Sequence, residues 1–269
     1  MSKSMDNYIS INKDSWNAKV EPHLKSDFYF VDEFLQGRSS LNSIELDLLG
    51  DIRGKKILHL QCHFGQDSIS LSRMGAEVTA VDFSDKAIAA AKDMAKQCGT
   101  NTRFVLSDVY DLPNVLDEKF DLVYTSYGTI GWLPDLDRWA KVISHFLKPG
   151  GRLVFVEFHP IIWMFDDDFT FIKYSYFNEG PIVETNEGTY ADRNADIVKQ
   201  HITWNHPTSE VLTCLVSNGL NLKVYNEYDW SPYGCFPHNE EFEKGKFRIP
   251  QLGNKVPYVF SLVAVKNNG

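Results

Sequence analysis

The 269-residue chain has no run of the ~20 apolar residues that a membrane-spanning helix needs, so no such helix is expected. It has no CxxC pair. Cys62, Cys98, Cys214 and Cys235 are scattered, which suggests neither a zinc site nor a disulfide framework. Reduced thiols in a cytoplasmic protein fit that usage best. It has no GxGxxG stretch. Cationic charge is scarce, with 27 Lys and Arg against 36 Asp and Glu, a net charge of -9. Such a surface repels phosphate backbones and makes nucleic acid a poor first choice of partner. Met1 to Ser10 carries no basic region followed by an apolar run, so no signal peptide is expected. Repeats and low-complexity segments are absent as well.

What remains is ordinary globular material, 43% hydrophobic and 23% charged, enough for a sizeable core. The middle of the chain alternates short apolar runs with amphipathic segments. Strands are predicted at Lys56–Leu60, Glu77–Asp82, Thr102–Ser107, Phe120–Ser126 and Arg152–Phe158. Helices are predicted over Asp67–Met74 and over Asp85–Cys98, the second capped by Ser84 and stopped by Gly99. A third carries Leu136, Trp139, Ala140, Ile143, Phe146 and Leu147 at helical spacing, before a turn at Pro149-Gly150-Gly151. This alternation predicts a parallel sheet with helices on both faces and a ligand at the carboxyl ends of its strands.

Outside that core the pattern changes. Residues 1–50 read as a mostly helical cap, with a helix start at Asp14-Ser15-Trp16-Asn17. Residues 159–207 read as an aromatic, turn-rich insertion folding over the site, and 208–269 as a helix near Ser209–Ser217 with strands at Leu220–Tyr228 and Val256–Val265. A single domain results, with its core at 51–158. The insertion holds Phe165, Phe169, Phe171, Tyr174, Tyr176, Phe177 and Tyr190. These suit a lid over an apolar or planar substrate, and equally a small subcore or a dimer face. Trp16 either closes the site or anchors the cap. Asp166-Asp167-Asp168 reads as a solvated turn.

The chemistry-bearing residues follow the strands. After the first comes His59-Leu60-Gln61-Cys62-His63-Phe64-Gly65, a tight turn that leads a helix N-terminus to the top of the sheet. Asp82, followed by Phe83, ends the second strand, where a carboxylate can accept from ribose hydroxyls. Asp108 and Val109 follow the third, placed to read an adenine amino group, although a plain loop aspartate fits as well. Tyr127-Gly128-Thr129-Ile130-Gly131-Trp132 closes the fourth.

That order of features, ending in Lys148-Pro149-Gly150-Gly151-Arg152-Leu153, resembles the class I S-adenosylmethionine-dependent methyltransferases over residues 51–158 and at the last two strands. The resemblance implies an α/β fold, a doubly wound, mostly parallel seven-stranded sheet with an antiparallel last strand. It implies S-adenosyl-L-methionine as cofactor. Gln61, Cys62, His63 and Gly65 would face the methionine part, Asp82 and Phe83 the ribose end, Asp108 and Val109 the adenine, and Tyr127 the methyl group. The chain departs from the pattern at His59, where the family has an acid, and at Gln61 and His63, where it has glycines. Side chains at those two positions lead to an expected right-handed or extended backbone there.

Methyl transfer is an in-line displacement and needs a base only where the nucleophile must lose a proton. Tyr127, Glu157, His159 and His201 are the candidates for catalytic or orienting groups. His159, His201 and His206 also allow a metal site, with structural histidines the commoner outcome. The expected function is methyl transfer to a small-molecule acceptor, without nucleic acid or membrane partners, with a homodimer allowed. The rivals are a nicotinamide-dependent oxidoreductase and a cofactor-binding protein without catalysis.

Overall fold

Val, Ile, Leu and Phe fill the strand runs on both faces, as strands covered on both sides require, and one strand of the central sheet runs against all the others. The structure is a computed structural model that describes residues 7–268. Met1–Asp6, part of the stretch expected to lack a signal peptide, lie outside the described residues. The central strands are β1 (Lys56–Leu60), β2 (Glu77–Asp82), β3 (Arg103–Leu106), β4 (Phe120–Ser126) and β5 (Leu147–Phe158). With β8 (Leu220–Tyr228) and β11 (Val259–Lys266) they form a seven-stranded sheet in the order β3-β2-β1-β4-β5-β11-β8. β11 runs antiparallel to both β5 and β8. Strand order reverses beside β1, between β2 and β4, where open α/β sheets bind ligands.

Helices cover both faces. One layer holds α4 (Gln66–Arg73) and α5 (Asp85–Gln97), packed on Ile57, Ala80, Tyr124 and Val154. The other holds α6 (Leu136–Phe146) and α7 (Thr208–Ser217), packed on Leu58, Val123, Phe155 and Leu262. The predicted cap is in place: Ser84 Oγ accepts from the Ala87 N–H at 3.0 Å. Asp135 Oδ1 accepts from the Arg138 N–H at 3.0 Å and starts α6.

Two boundaries differ from expectation. β5 starts at Leu147, which pairs with Phe120, so Pro149-Gly150-Gly151 is an irregularity inside the strand and not a turn before it. A Cβ on Gly151 would lie 2.9 Å from the Lys148 carbonyl, which explains the small residue. β11 starts at Val259 and not at the expected Val256, and the segment before it holds a short hairpin, β9 (Glu240–Glu243) with β10 (Lys246–Arg248).

The cap is helical, with α1 (Tyr8–Lys25), α2 (Val31–Leu35) and α3 (Ser43–Leu49). α1 does not start at Asp14, which is exposed in mid-helix. Its Asn12 is buried and acts as a strand edge. Asn12 Nδ2 donates to the Ile202 carbonyl and Oδ1 accepts from the Ile202 N–H, each at 2.8 Å. Ile202 lies in β7 (Val198–Thr203), which pairs with β6 (Ile182–Glu187) to give the insertion a hairpin. Cap and insertion thus close against each other above the carboxyl ends of the strands.

Candidate functional site

β1 ends at Leu60 and the chain turns left-handed at Gln61 (φ 55°), His63 (φ 51°) and Gly65 (φ 82°). The right-handed or extended backbone expected at Gln61 and His63 is therefore incorrect. The turn keeps a glycine-type geometry while carrying side chains, at a cost of about 1 kcal/mol for each. Its surroundings hold it there. The His63 N–H donates to Asp82 Oδ2 at 2.8 Å, the Cys62 N–H to the Val81 carbonyl at 2.9 Å, and Gln61 Nε2 to the Thr129 carbonyl at 2.8 Å. Gly65 has no substitute: a Cβ would stand 2.6 Å from Phe104 Cε1.

The turn opens into a cavity of about 910 Å³. It extends from Asp82 and Phe83, past Gln61–Gly65 and Tyr127–Trp132, to His201 and Tyr190 under the insertion. Asp82 is 8% exposed, and burial pushes its carboxyl up to about 6. Its other oxygen, Oδ1, accepts from the Ser84 N–H at 2.9 Å. The Cys62 thiol is held well above its usual range by burial.

Asp108 and Val109 do not reach the cavity wall. Val109 is buried in the α6 side of the core, and Asp108 Oδ1 accepts from the Tyr110 N–H at 2.7 Å, closing its own turn. The adenine-reading role expected of them thus has no support in this arrangement. α1 arrives at the same place, where Tyr8 lies near the charge of Asp108 and packs edge-on against Trp204 at 5.3 Å.

Of the four catalytic candidates, two line the cavity freely and two do not. Glu157 is 2% exposed and spends its carboxylate on the loop after β4. It accepts from the N–H groups of Gly128, Thr129 (2.7 Å), Ile130 (3.2 Å) and Phe158 (2.7 Å), and from Thr129 Oγ1 (2.9 Å). A carboxylate so engaged is an anchor and not a free base. His159 lies outside the cavity; its Nε2 is 3.1 Å from Glu227 Oε1 on β8. Tyr127 (φ 42°) lines the cavity and donates from its hydroxyl to Glu45 Oε2 at 3.2 Å. His201 lines it under the insertion, its ring 5.7 Å from that of Trp132, with burial and Lys19 lowering its pKa. His206 is spent on structure, 2.8 Å from the Leu133 carbonyl and 3.0 Å from Glu210. Among the described residues no three metal-ligating side chains converge.

The insertion aromatics divide. Phe165, Phe169, Tyr174 and Tyr190 line the cavity, whereas Phe171 and Phe177 are exposed. Tyr176 bonds Thr208 at 3.0 Å. Asp166 closes the turn at Thr170 and Phe171, as a solvated turn would.

The folded cap delivers further lining or supporting residues: Trp16, expected either to close the site or to anchor the cap, and Lys19, His23 and Glu45, which carry no sequence signal. Trp16 packs on His63 and Trp132, each at 5.2 Å between ring centroids. Lys19 Nζ lies 4.8 Å above the Trp16 ring and 5.2 Å above Trp132, and burial pushes its pKa down to about 8. His23 Nδ1 lies 3.0 Å from His63 Nε2, and burial holds both imidazoles neutral. Glu45, fully buried, accepts from the Tyr127 hydroxyl, and Asp67, half-buried, accepts from the neighbouring Ser126.

Residues 57–151 match the family described as "Methyltransferase domain". An uncharacterized methyltransferase of Synechocystis is 33% identical over 131 residues, covering 48% of this chain and 59% of that protein. A ubiquinone biosynthesis O-methyltransferase of Coxiella burnetii is 34% identical over 104 residues, covering 39% and 44%. The chain spans about half the length of these curated relatives. The solved DhpI–SAH complex aligns with a TM-score of 0.59 at 17% identity, over 98% of this chain and 99% of that one, a likeness of fold. Among the described residues no helix is long and apolar enough to cross a membrane.

Proposed function

We propose that this protein, whose residues 57–151 match a methyltransferase domain, is a class I S-adenosylmethionine-dependent methyltransferase that transfers the methyl group of S-adenosylmethionine to a small-molecule acceptor. The observation that carries the reading is continuity. One cavity joins the turn after β1 and Asp82 to the aromatic underside of the insertion. Cofactor and acceptor would meet inside it, away from water.

The residues fit the cofactor. Gln61 Oε1 is buried on the turn without a partner, and Asp82 keeps acceptor capacity on both oxygens. When bound, S-adenosylmethionine supplies an electrophilic methyl on a sulfonium. The chain contributes alignment, through Tyr127 and the loop fixed by Glu157, and a dry enclosure. His201, kept neutral by burial, can take a proton from an acceptor hydroxyl. A planar acceptor suits the Tyr, Phe and Trp walls, and oxygen is the acceptor atom in the name of the Coxiella relative. The nicotinamide-dependent rival finds no glycine-rich turn here, and it does not call for β11 between β5 and β8.

Calorimetric titration with S-adenosylmethionine and with NADPH tests the cofactor. Transfer of labelled methyl to a panel of phenols, amines and thiols tests the reaction. Micromolar S-adenosylmethionine binding with label transfer is expected. NADPH binding in its place would overturn the reading, and cofactor binding without transfer across the panel would favour a non-catalytic binder.

A further inference from the structure

Where the resemblance places an acid at the end of β1, this chain has His59. His59 is 3% exposed, its Nδ1 lies 2.7 Å from Ser68 Oγ, and its ring packs on Tyr124 at 4.9 Å. Burial pushes its pKa down to about 3, so it is neutral at pH 7. It offers no negative charge to a cationic ligand group.

Negative charge stands one helix start further on. Asp67 is the second residue of α4, directly after the turn, and it lines the cavity. Ser40 Oγ donates to its Oδ1 at 2.6 Å and Ser126 Oγ, at the end of β4, to its Oδ2 at 3.1 Å. Glu45 lies behind, fully buried, with Asn42 and Tyr127 donating to it at 3.2 Å each. Among the described residues no lysine or arginine forms an ion pair with either carboxylate. Carboxylates withdrawn from water without a counter-ion, Glu45 fully and Asp67 in part, are costly, and a bound cation reduces that cost.

Two further groups lie at the same place. The Tyr124 hydroxyl is fully buried and has no hydrogen-bond partner. It lies on the same face of β4 as Ser126, two residues away, close enough to Asp67 to feel its charge. Gln61 Oε1, on the turn, is also buried and unpartnered. Asp67 and Gln61 therefore present free acceptor capacity to the cavity at the junction of β1, α4 and β4, with the Tyr124 hydroxyl buried behind Asp67. The missing complement is a cation with several N–H donors.

We propose that Asp67, and not the residue at the end of β1, holds the ammonium of the cofactor's methionine moiety, with Ser40 and Ser126 orienting its two oxygens. The assignment rests on S-adenosylmethionine being the cofactor. Placement favours the cofactor over an acceptor amine, since Asp67 follows the turn directly and touches β4 beside β1, whereas the insertion closes beyond Tyr127.

The test compares two ligands by calorimetry, S-adenosylhomocysteine and its analogue lacking only the amino group, on wild type and on Asp67→Asn. Wild type should prefer the amino ligand by about tenfold to hundredfold, the range for a charged hydrogen bond. Asp67→Asn should erase that preference and leave the affinity for the deaminated ligand within about twofold. A preference that survives in Asp67→Asn, or is missing from wild type, overturns the assignment. Equal losses for both ligands in a folded variant mean a structural role and overturn it too. Failure of wild type to bind either ligand instead defeats the cofactor reading, and this inference with it. If Asp67→Asn does not fold, Asp67→Ser, which keeps an oxygen at the helix start, serves for the same comparison.

Discussion

The His63 N–H donates to Asp82 Oδ2 at 2.8 Å, tying the left-handed turn after β1 to the end of β2. The tie explains how a turn built on a glycine-type backbone persists with Gln61 and His63 in it. Asp82, Val81 and Thr129 supply partners that fix the conformation from outside, so the side chains tolerate φ values they would not choose.

Gln61 separates the two contributions. Gln61→Gly relieves the left-handed strain and loses the bond to Thr129, terms of about 1 kcal/mol each that nearly cancel. Its stability should stay within about 1 kcal/mol of wild type in urea unfolding. Gln61→Val keeps the strain, worsens it by β-branching and loses the bond, and should cost about 2 kcal/mol or more. A large loss on Gln61→Gly would show that the side chain, and not the backbone network, holds the turn.

Gly65→Ala should be far more damaging. The new Cβ would meet the Phe104 ring at 2.6 Å, at a residue with φ 82°. Overpacking of this kind costs about 1–3 kcal/mol, and the positive φ adds about 1 more. Phe104→Leu in the Gly65→Ala background should recover part of the loss, because it withdraws the colliding atoms. Denaturation of the single and double variants measures this, and simple additivity would refute the collision.

The core was legible because local signals and tertiary demands agree there. β1, β2, β4 and β8 fall at the residues their apolar runs indicate, and Ser84 caps α5 as its position indicates. Asp82 could be found because the end of the second strand is a fixed place in this topology. Glu45, Lys19 and His23 could not, since they come to the site on helices α1 and α3, whose packing no spacing rule encodes. Glu157 could be read two ways, as a group beside the substrate or as one that only fixes a loop, for a related reason. A carboxylate at a strand end looks the same in sequence whether it faces a substrate or caps a loop, and only the converging N–H groups of Gly128, Thr129 and Ile130 decide. Asn12 shows the same limit, as its partner lies 190 residues away.

Glu157 and His159 differ in what they should disturb. Glu157→Ala leaves several N–H groups without their acceptor in a buried setting, so it should cost about 3 kcal/mol or more. Its damage should appear as lost stability and lost cofactor affinity together, not as a shifted pH–rate profile. His159→Gln, facing Glu227 away from the cavity, should leave cofactor binding and turnover within about twofold, and His201→Ala should lower turnover. Measured kcat and binding constants for the three separate these outcomes. A selective loss of kcat in His159→Gln would restore it as a catalytic group.

Glu45 gives the fold a titration of its own. Its carboxyl ordinarily titrates near 4.5 and is pushed up to about 7, by burial first and then by the charge of Asp67. Between those pH values the folded chain keeps a proton that the unfolded chain has released, so stability falls as pH rises through the window. His23 acts oppositely: burial lowers it from 6.5 to about 3, and stability falls as pH drops across that range. A whole-protein profile mixes the two, but the difference between wild type and Glu45→Gln isolates the first. Glutamine has no proton to lose, so the variant should gain on wild type between pH 4.5 and 7, by up to about 3 kcal/mol in unfolding free energy. A difference that stays flat with pH would mean that Glu45 is already ionised in the fold. Some cation of the protein would then have to face it, a partner that neither Asn42 nor Tyr127 supplies.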